Sequence, residues 1–226
     1  MNLIKEQLEQ IRSFIQQKGF KYIDVQMEIL DHVASSVEEK MDADQNLNFE
    51  DAITETHEAF GTDGFAVIQK SVVDGLKKKY SKFFWQNFRN YFGYKYIILV
   101  LFLGFIVYKL QEIVNNDDFY TIYLVGMFGV VGLLLLYNLK DSIYKKYMSY
   151  KSSVSFLMFL GPFLVITNMA INKSVTAVKI FSLNRSFLIV SVLITLFVIY
   201  FIAALKTAKV GMRESKHIMD KYKLVV

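Results

Sequence analysis

Four apolar runs, residues 96–108, 119–137, 153–171 and 187–205, fill the second half of this chain. The last three each approach the roughly 20 residues that an α-helix needs to cross a hydrocarbon core of about 30 Å. The first reaches that length once Gly93, Tyr94 and 109–114 at its ends are counted, with Lys95 and Lys109 snorkelling towards the headgroups. None of the four has an Asp, Glu, Lys, Arg or His near its middle. The core helix of a water-soluble domain shows a polar stripe at helical spacing, and these runs show none. The pattern predicts an all-α protein, a small cytoplasmic helical domain followed by a four-helix transmembrane bundle. The divisions expected along the chain are an acidic helical domain over 1–70, a basic aromatic interfacial neck over 71–95, the four spans over 96–205 and a basic cytoplasmic tail over 206–226.

Charge sharpens this division. The first 70 residues hold 6 Lys and Arg against 14 Asp and Glu, a net of −8, and the remaining chain holds 20 against 7, a net of +13. The basic surplus therefore borders the apolar runs, where lysines set orientation and meet anionic lipid. It carries no DNA-reading motif, and no nucleic-acid partner is expected. Six of the positive residues lie between Lys77 and Lys95. Four more, Lys140, Lys145, Lys146 and Lys151, separate the second and third runs, and six follow the fourth, from Lys206 to Lys223. With four spans these sixteen share one face, against Lys109, Lys173, Lys179 and Arg185 on the other. The positive-inside rule then places both termini in the cytoplasm. The start of the chain is amphipathic and charged, so the first span is expected to act as the insertion signal in place of a cleaved signal peptide. There is no cysteine, which excludes disulfides, thiolate metal sites and cysteine nucleophiles.

Before the neck, helical periodicity recurs three times. The first segment, about 2–17, sets Leu3, Ile4, Leu8, Ile11, Phe14 and Ile15 on one face, and Gly19 follows as a stop. The second starts near 22–24 and runs to about Met41, with Leu30, Val33, Ala34, Val37 and Met41 as its apolar face. After the polar stretch 42–48, Asn48 stands at an N-cap position with Glu50 and Asp51 in the first turn, where the helix dipole favours acids. The third segment carries Phe49, Ala52, Ile53, Thr56 and Phe60 and ends at Gly61.

The elements Tyr22-Ile-Asp-Val-Gln-Met-Glu-Ile-Leu-Asp31-His32-Val, Val37-Glu-Glu, Phe49-Glu-Asp-Ala52-Ile and Ala59-Phe60-Gly61 make residues 3–65 similar to the short helical HAAS-type domain. That family is common at the cytoplasmic N-terminus of bacterial multi-span membrane proteins, beside PadR-like regulators or transport permeases. The resemblance implies a bacterial inner-membrane location and a regulatory or adaptor role. This chain departs from the usual form after Gly61, with Thr-Asp-Gly-Phe where many members have Asp-Pro. The resemblance carries over no catalytic residue.

Glu28, Asp31 and His32, with His57 and Glu58 on the next helix, form the one cluster with metal-like composition. Glu28 and His32 share a helix face. A zinc site requires three or four such ligands converging on a tetrahedron. The expectation is no metal, with His32 packed at a helix–helix seam and paired to a carboxylate. No nucleophile or oxyanion-stabilising element accompanies His32, so no catalytic site is expected either.

Aromatic rings crowd the neck (Tyr80, Phe83, Phe84, Trp85, Phe88, Tyr91, Phe92, Tyr94) among Lys and Arg, which favours a segment lying at the water–lipid interface or turning there as an elbow. Gly126, Gly129 and Gly132 recur every third residue in the second run, a spacing that suits close helix packing. In the third run, Gly161-Pro162 predicts a kink, and Asn168 an interhelical hydrogen bond. No run carries the buried charge of a proton- or ion-coupled transporter, and no nucleotide fingerprint occurs. The function expected is an accessory, scaffold or regulatory subunit without enzymatic activity or cofactor. Such a subunit contacts membrane lipids, and it contacts a protein partner through headpiece, tail or spans. The alternatives are a small permease-like or gating component of a transport complex and a lipid-modifying enzyme.

Overall fold

A computed structural model of the chain describes residues 3–61, 63–114, 143–159, 179–180 and 183–225, with positions Ile122, Val125, Gly126, Gly129, Gly132, Leu133 and Gly161. The regular elements among them are helical apart from a two-residue antiparallel pairing of Lys179–Ile180 with Leu183–Asn184. The helices are α1 (Lys5–Gln17), α2 (Ile23–Ala43), α3 (Phe49–Ala59), α4 (Ala66–Asn90), α5 (Ile97–Ile113), α6 (Met148–Val154) and α7 (Arg185–Val225), with 3₁₀ turns at Tyr144–Lys146 and Ser155–Phe159. They group into two compact units. One comprises Met1–Lys79, Ile143–Ser152 and Gly211–Val226, the other Tyr80–Ser142 and Ser153–Val210. The first unit thus takes in, besides the acidic N-terminal region, a loop and the end of the chain.

In the first unit α2 packs against both α1 and α3, which touch each other far less. This explains where the buried stripe of α2 lies. Val25, Ile29, Val33 and Val37, four residues apart, are fully covered, while the expected Leu30, Ala34 and Met41 only flank them. Ile11 and Ile15 of α1 and Ala52, Ile53 and Thr56 of α3 close on that stripe. The start of α1 is tied twice, by the Ile4 amide donating to Gln7 Oε1 at 3.0 Å and the Leu3 amide donating to Glu38 Oε1 at 2.8 Å. Asn48 caps α3 as expected, its Oδ1 accepting from the Asp51 amide at 2.8 Å. The turn into α4 needs positive φ at Gly61 (+76°) and Gly64 (+51°), and a Cβ at Gly64 would come within 2.7 Å of His57 Nε2.

The second unit contains α5, residues 80–90, residues 153–159 and most of α7. Phe84 stacks on Phe156 with ring centroids 4.5 Å apart and meets Tyr200 edge-on at 5.0 Å. Ala203 and Ala204 complete that cluster, and the Tyr200 hydroxyl donates to the Phe156 carbonyl at 2.8 Å. The aromatic neck is therefore divided. Tyr80 and Phe84 are core, whereas Trp85, Phe92 and Tyr94 are exposed. The helix stops at Asn90, residues 91–96 form turns, and α5 begins at Ile97.

One helix among the described residues is long and apolar enough to cross a membrane, over Phe187–Lys221 of α7. It contains the expected fourth run and continues through the basic tail. The expected first run lies in α5, whose 17 residues carry a row of exposed large apolar side chains, among them Ile98, Leu99, Leu101, Phe102 and Phe105. The second run and all of the third beyond Phe159, including Pro162 and Asn168, fall outside the described residues except at isolated positions.

Candidate functional site: a carboxylate between two helix starts

Asp24 lies in the first turn of α2, where its Oδ1 accepts from the Val25 amide at 3.1 Å. The same carboxylate reaches the first turn of α6, 124 residues further on. Oδ1 accepts from the Met148 amide at 2.8 Å, and Oδ2 accepts from the Ser149 amide at 2.7 Å and from its hydroxyl at 2.8 Å. One anion thus satisfies amides at two helix starts, the ends that carry orphan N–H groups and positive dipole. Charge-assisted bonds of this kind are about twice as strong as neutral ones.

Further contacts extend the junction. With the Ser149 proton committed to Asp24, the Ser215 hydroxyl of α7 donates either to Ser149 Oγ at 3.1 Å or to the Gly211 carbonyl at 2.8 Å. Lys151 Nζ donates to the Tyr22 hydroxyl at 2.6 Å and sits 5.2 Å from that ring's centroid. Lys79 pairs with Glu214 at 2.7 Å. Tyr147 is buried, and burial together with the charges of Asp24 and Asp220 pushes its phenol pKa up. Met148 joins the same apolar core as Ile29 and Val33. The tail thus meets the loop through Ser149 and Ser215 and the neck through the Lys79–Glu214 ion pair. Chemically the site joins three distant segments, with Ser149 bonded to the Asp24 carboxylate on one side and facing Ser215 on the other.

The metal-like cluster does not converge. His32 Nε2 lies 3.7 Å from Glu28 Oε1, and both side chains are more than half exposed. His32 is therefore paired as expected but is not packed at a seam, because α2 turns its Val25–Val37 stripe inward instead. His57 holds the seam position, 4.9 Å from the Phe65 ring and 5.8 Å from Phe14, both edge-on. Burial, aided by the Lys18 charge and opposed by Glu58, lowers its pKa. No group of three or more His, Asp or Glu side chains able to hold a metal occurs among the described residues.

A second polar contact joins α5 and α7. Gln111, 1% exposed, donates through Nε2 to Ser191 Oγ at 2.8 Å and to the Phe187 carbonyl at 3.2 Å. Gly104 lies on the same interface, where a Cβ would stand at ordinary contact distance, 3.5 Å, from Thr195 Oγ1. At Gly126, Gly129 and Gly132 a Cβ would meet no atom of the described residues within 4 Å, and the rest of that run lies outside the described residues. Sequence reasoning missed both Gln111 and the pairing of Asp24 with Ser149. The available signal for the first was an amide at the end of an apolar run, flanked by Lys109 and Glu112. The chain matches no protein-family model, no curated protein and no solved structure.

Proposed function

We propose that this chain is an integral membrane accessory or regulatory subunit, without enzymatic activity, that offers its helical headpiece to a protein partner. The observation that carries the reading is the Asp24 junction, which ties the headpiece to the loop before the third apolar run and to the end of α7. A domain joined to those segments is placed to pass a partner's binding on to them. The membrane half of the reading draws support from the spanning length of α7 and the exposed apolar row of α5, a surface that lipid covers more favourably than water. In this reading all four apolar runs cross a bacterial inner membrane, both termini are cytoplasmic, residues 91–96 are the elbow at the inner interface, and the headpiece is a HAAS-type module.

The test is copurification after gentle detergent extraction, comparing the full chain with one lacking residues 1–61. A stoichiometric protein partner that is lost with the headpiece is the expected result. A partner retained in full by the shortened chain would move recognition to the spans. An isolated chain under every extraction condition would contradict the accessory role.

A further inference from the structure

We infer that the groove between α5 and α7 takes one acyl chain of an acidic phospholipid, whose headgroup is held at the elbow by Arg89 and Lys95. The groove has a volume of about 480 Å³. Phe92 of the elbow and Val100, Leu101 and Phe105 of α5 wall one side, and Leu188 and Val192 of α7 wall the other. Its hydroxyls are spent within α7 and on the α5–α7 contact. Thr195 donates to the Ser191 carbonyl at 2.7 Å, and Ser191 donates to the Phe187 carbonyl at 2.7 Å while accepting from Gln111. Groups satisfied in this way ask nothing of a ligand, so the groove suits a hydrocarbon chain. From Val100 to Lys109 the α5 wall rises about 14 Å, close to the depth of one leaflet. Leu101, Phe105 and Val192 are exposed, so the groove opens on the apolar surface that lipid covers.

The charge at the two ends sets the lipid's direction. Lys109, at the far end, is neutralised by Glu112 at 2.7 Å. At the near end Arg89 and Lys95 flank Phe92, whose amide donates to the Arg89 carbonyl at 3.0 Å. Arg89 donates through Nε to the Trp85 carbonyl at 3.3 Å, and Lys95 Nζ lies 5.6 Å from the centroid of the Tyr96 ring. Neither cation meets a carboxylate among the described residues. The chain has no Asp or Glu between Asp74 and Glu112 to supply one. The unit that holds the groove carries 10 Lys and Arg against 4 Asp and Glu, a net of +6. A guanidinium grips phosphate through paired N–H donors, and a lysine adds a point charge. Phe84 and Phe88 pack on Tyr200, close to the end of the fourth apolar run, which sets Arg89 at headgroup level. Trp85 stands exposed beside it, as tryptophans do at a membrane interface. A second copy would bring the same cations to the mouth of the groove, whereas an acidic lipid supplies both the chain and the anion.

This inference rests on the reading of α5 and α7 as membrane spans. The experiment purifies the full chain in a neutral detergent and strips its lipid. It then titrates phosphatidylglycerol, phosphatidylcholine with the same acyl chains, and inorganic phosphate, and counts bound molecules by native mass spectrometry. One phosphatidylglycerol per chain is expected to bind at least about tenfold more tightly than phosphatidylcholine, and phosphate alone is expected not to compete with it. Arg89→Gln and Lys95→Gln are each expected to remove most of that preference and to leave phosphatidylcholine binding as it was. Val192→Trp, which fills the groove from an exposed position, is expected to weaken both lipids about tenfold or more while thermal unfolding of the stripped chain stays unchanged. Lys209→Gln, at another exposed cation of the same unit, is expected to change nothing. Equal affinity for the two lipids, or a loss from Lys209→Gln as large as from Arg89→Gln, would overturn the headgroup site. Phosphatidylglycerol binding untouched by Val192→Trp would overturn the groove, as would dimerisation that the same substitution abolishes. Competition by phosphate alone would assign the cations to a free anion and overturn the lipid. A chain that needs detergent to leave the membrane yet shows no lipid preference would keep the spans and overturn this site. A chain that stays dispersed without detergent would overturn both.

Discussion

Asp24 is one residue whose loss should be felt far along the chain. Its carboxylate accepts four hydrogen bonds, three of them from Met148 and Ser149. Asp24→Ala leaves those donors without an acceptor, and buried donors stripped of a partner cost about 1–3 kcal/mol each. We expect the first unit to lose about 2–3 kcal/mol, some of the cost being recovered by water. Amide hydrogen exchange at Met148 and Ser149 should speed up before exchange in α2 does. Unchanged protection there would show that the junction contributes nothing. His57 gives a pH-dependent expectation. Its folded-state pKa lies below the ordinary 6.5, so the unfolded chain takes up the proton more readily. The headpiece therefore keeps its full stability above that value and loses it as pH falls through the lowered one. His57→Gln should flatten the difference in urea midpoint between about pH 7.5 and about pH 5.5. Periodicity could place Asp24 at the start of a helix and Asn48 at a cap, because both are local effects. It could not pair Asp24 with Ser149, since nothing in local spacing encodes a contact across more than a hundred residues. The surroundings of His57 were out of reach for a related reason. Composition set it in a metal-like cluster from which no metal site was expected, and only the fold shows the ring packed by Phe14, Gly64 and Phe65.

Among the elements, the three headpiece helices were legible because caps, stops and apolar stripes coincide. The face of α2 was read one step off, because a helix flanked by two neighbours buries the strip between them, and the sequence does not show how many neighbours a helix has. The same limit governed the glycines. A small residue allows close approach, but whether a helix takes that approach depends on what packs there. Gly104 meets Thr195, while a Cβ at Gly129 meets no atom of the described residues within 4 Å. Gly104→Leu is expected to push α5 off α7 and cost about 1–3 kcal/mol, lowering the thermal midpoint in detergent. Gly129→Leu is expected to leave it unchanged. The reverse order would place the packing contact in the second apolar run. Gln111→Leu tests the polar half of the α5–α7 contact. Losing interhelical bonds in an apolar setting should cost on the order of 1 kcal/mol by the same measurement.

For the molecule as a whole, hydropathy and charge outline an acidic helical part and an apolar part. They do not reveal that Ile143–Ser152 and Gly211–Val226 join the headpiece to make one unit. That grouping comes from hydroxyl, amide and carboxylate contacts that leave little trace in composition. The central claim is that the apolar half threads the membrane so that headpiece, loop and tail meet on the same side. The sixteen-to-four distribution of positive residues motivates it. Because the chain contains no cysteine, single cysteines report on topology without background. The decisive measurement is labelling of whole cells with a membrane-impermeant maleimide at Glu58→Cys, Lys145→Cys, Asp117→Cys and Lys173→Cys, before and after permeabilisation. The account predicts that Asp117→Cys and Lys173→Cys label in intact cells and that Glu58→Cys and Lys145→Cys label only once the membrane is opened. Labelling of Lys145→Cys in intact cells, with Glu58→Cys protected, would contradict it, because the loop bonded to Asp24 would then lie across the membrane from its own headpiece.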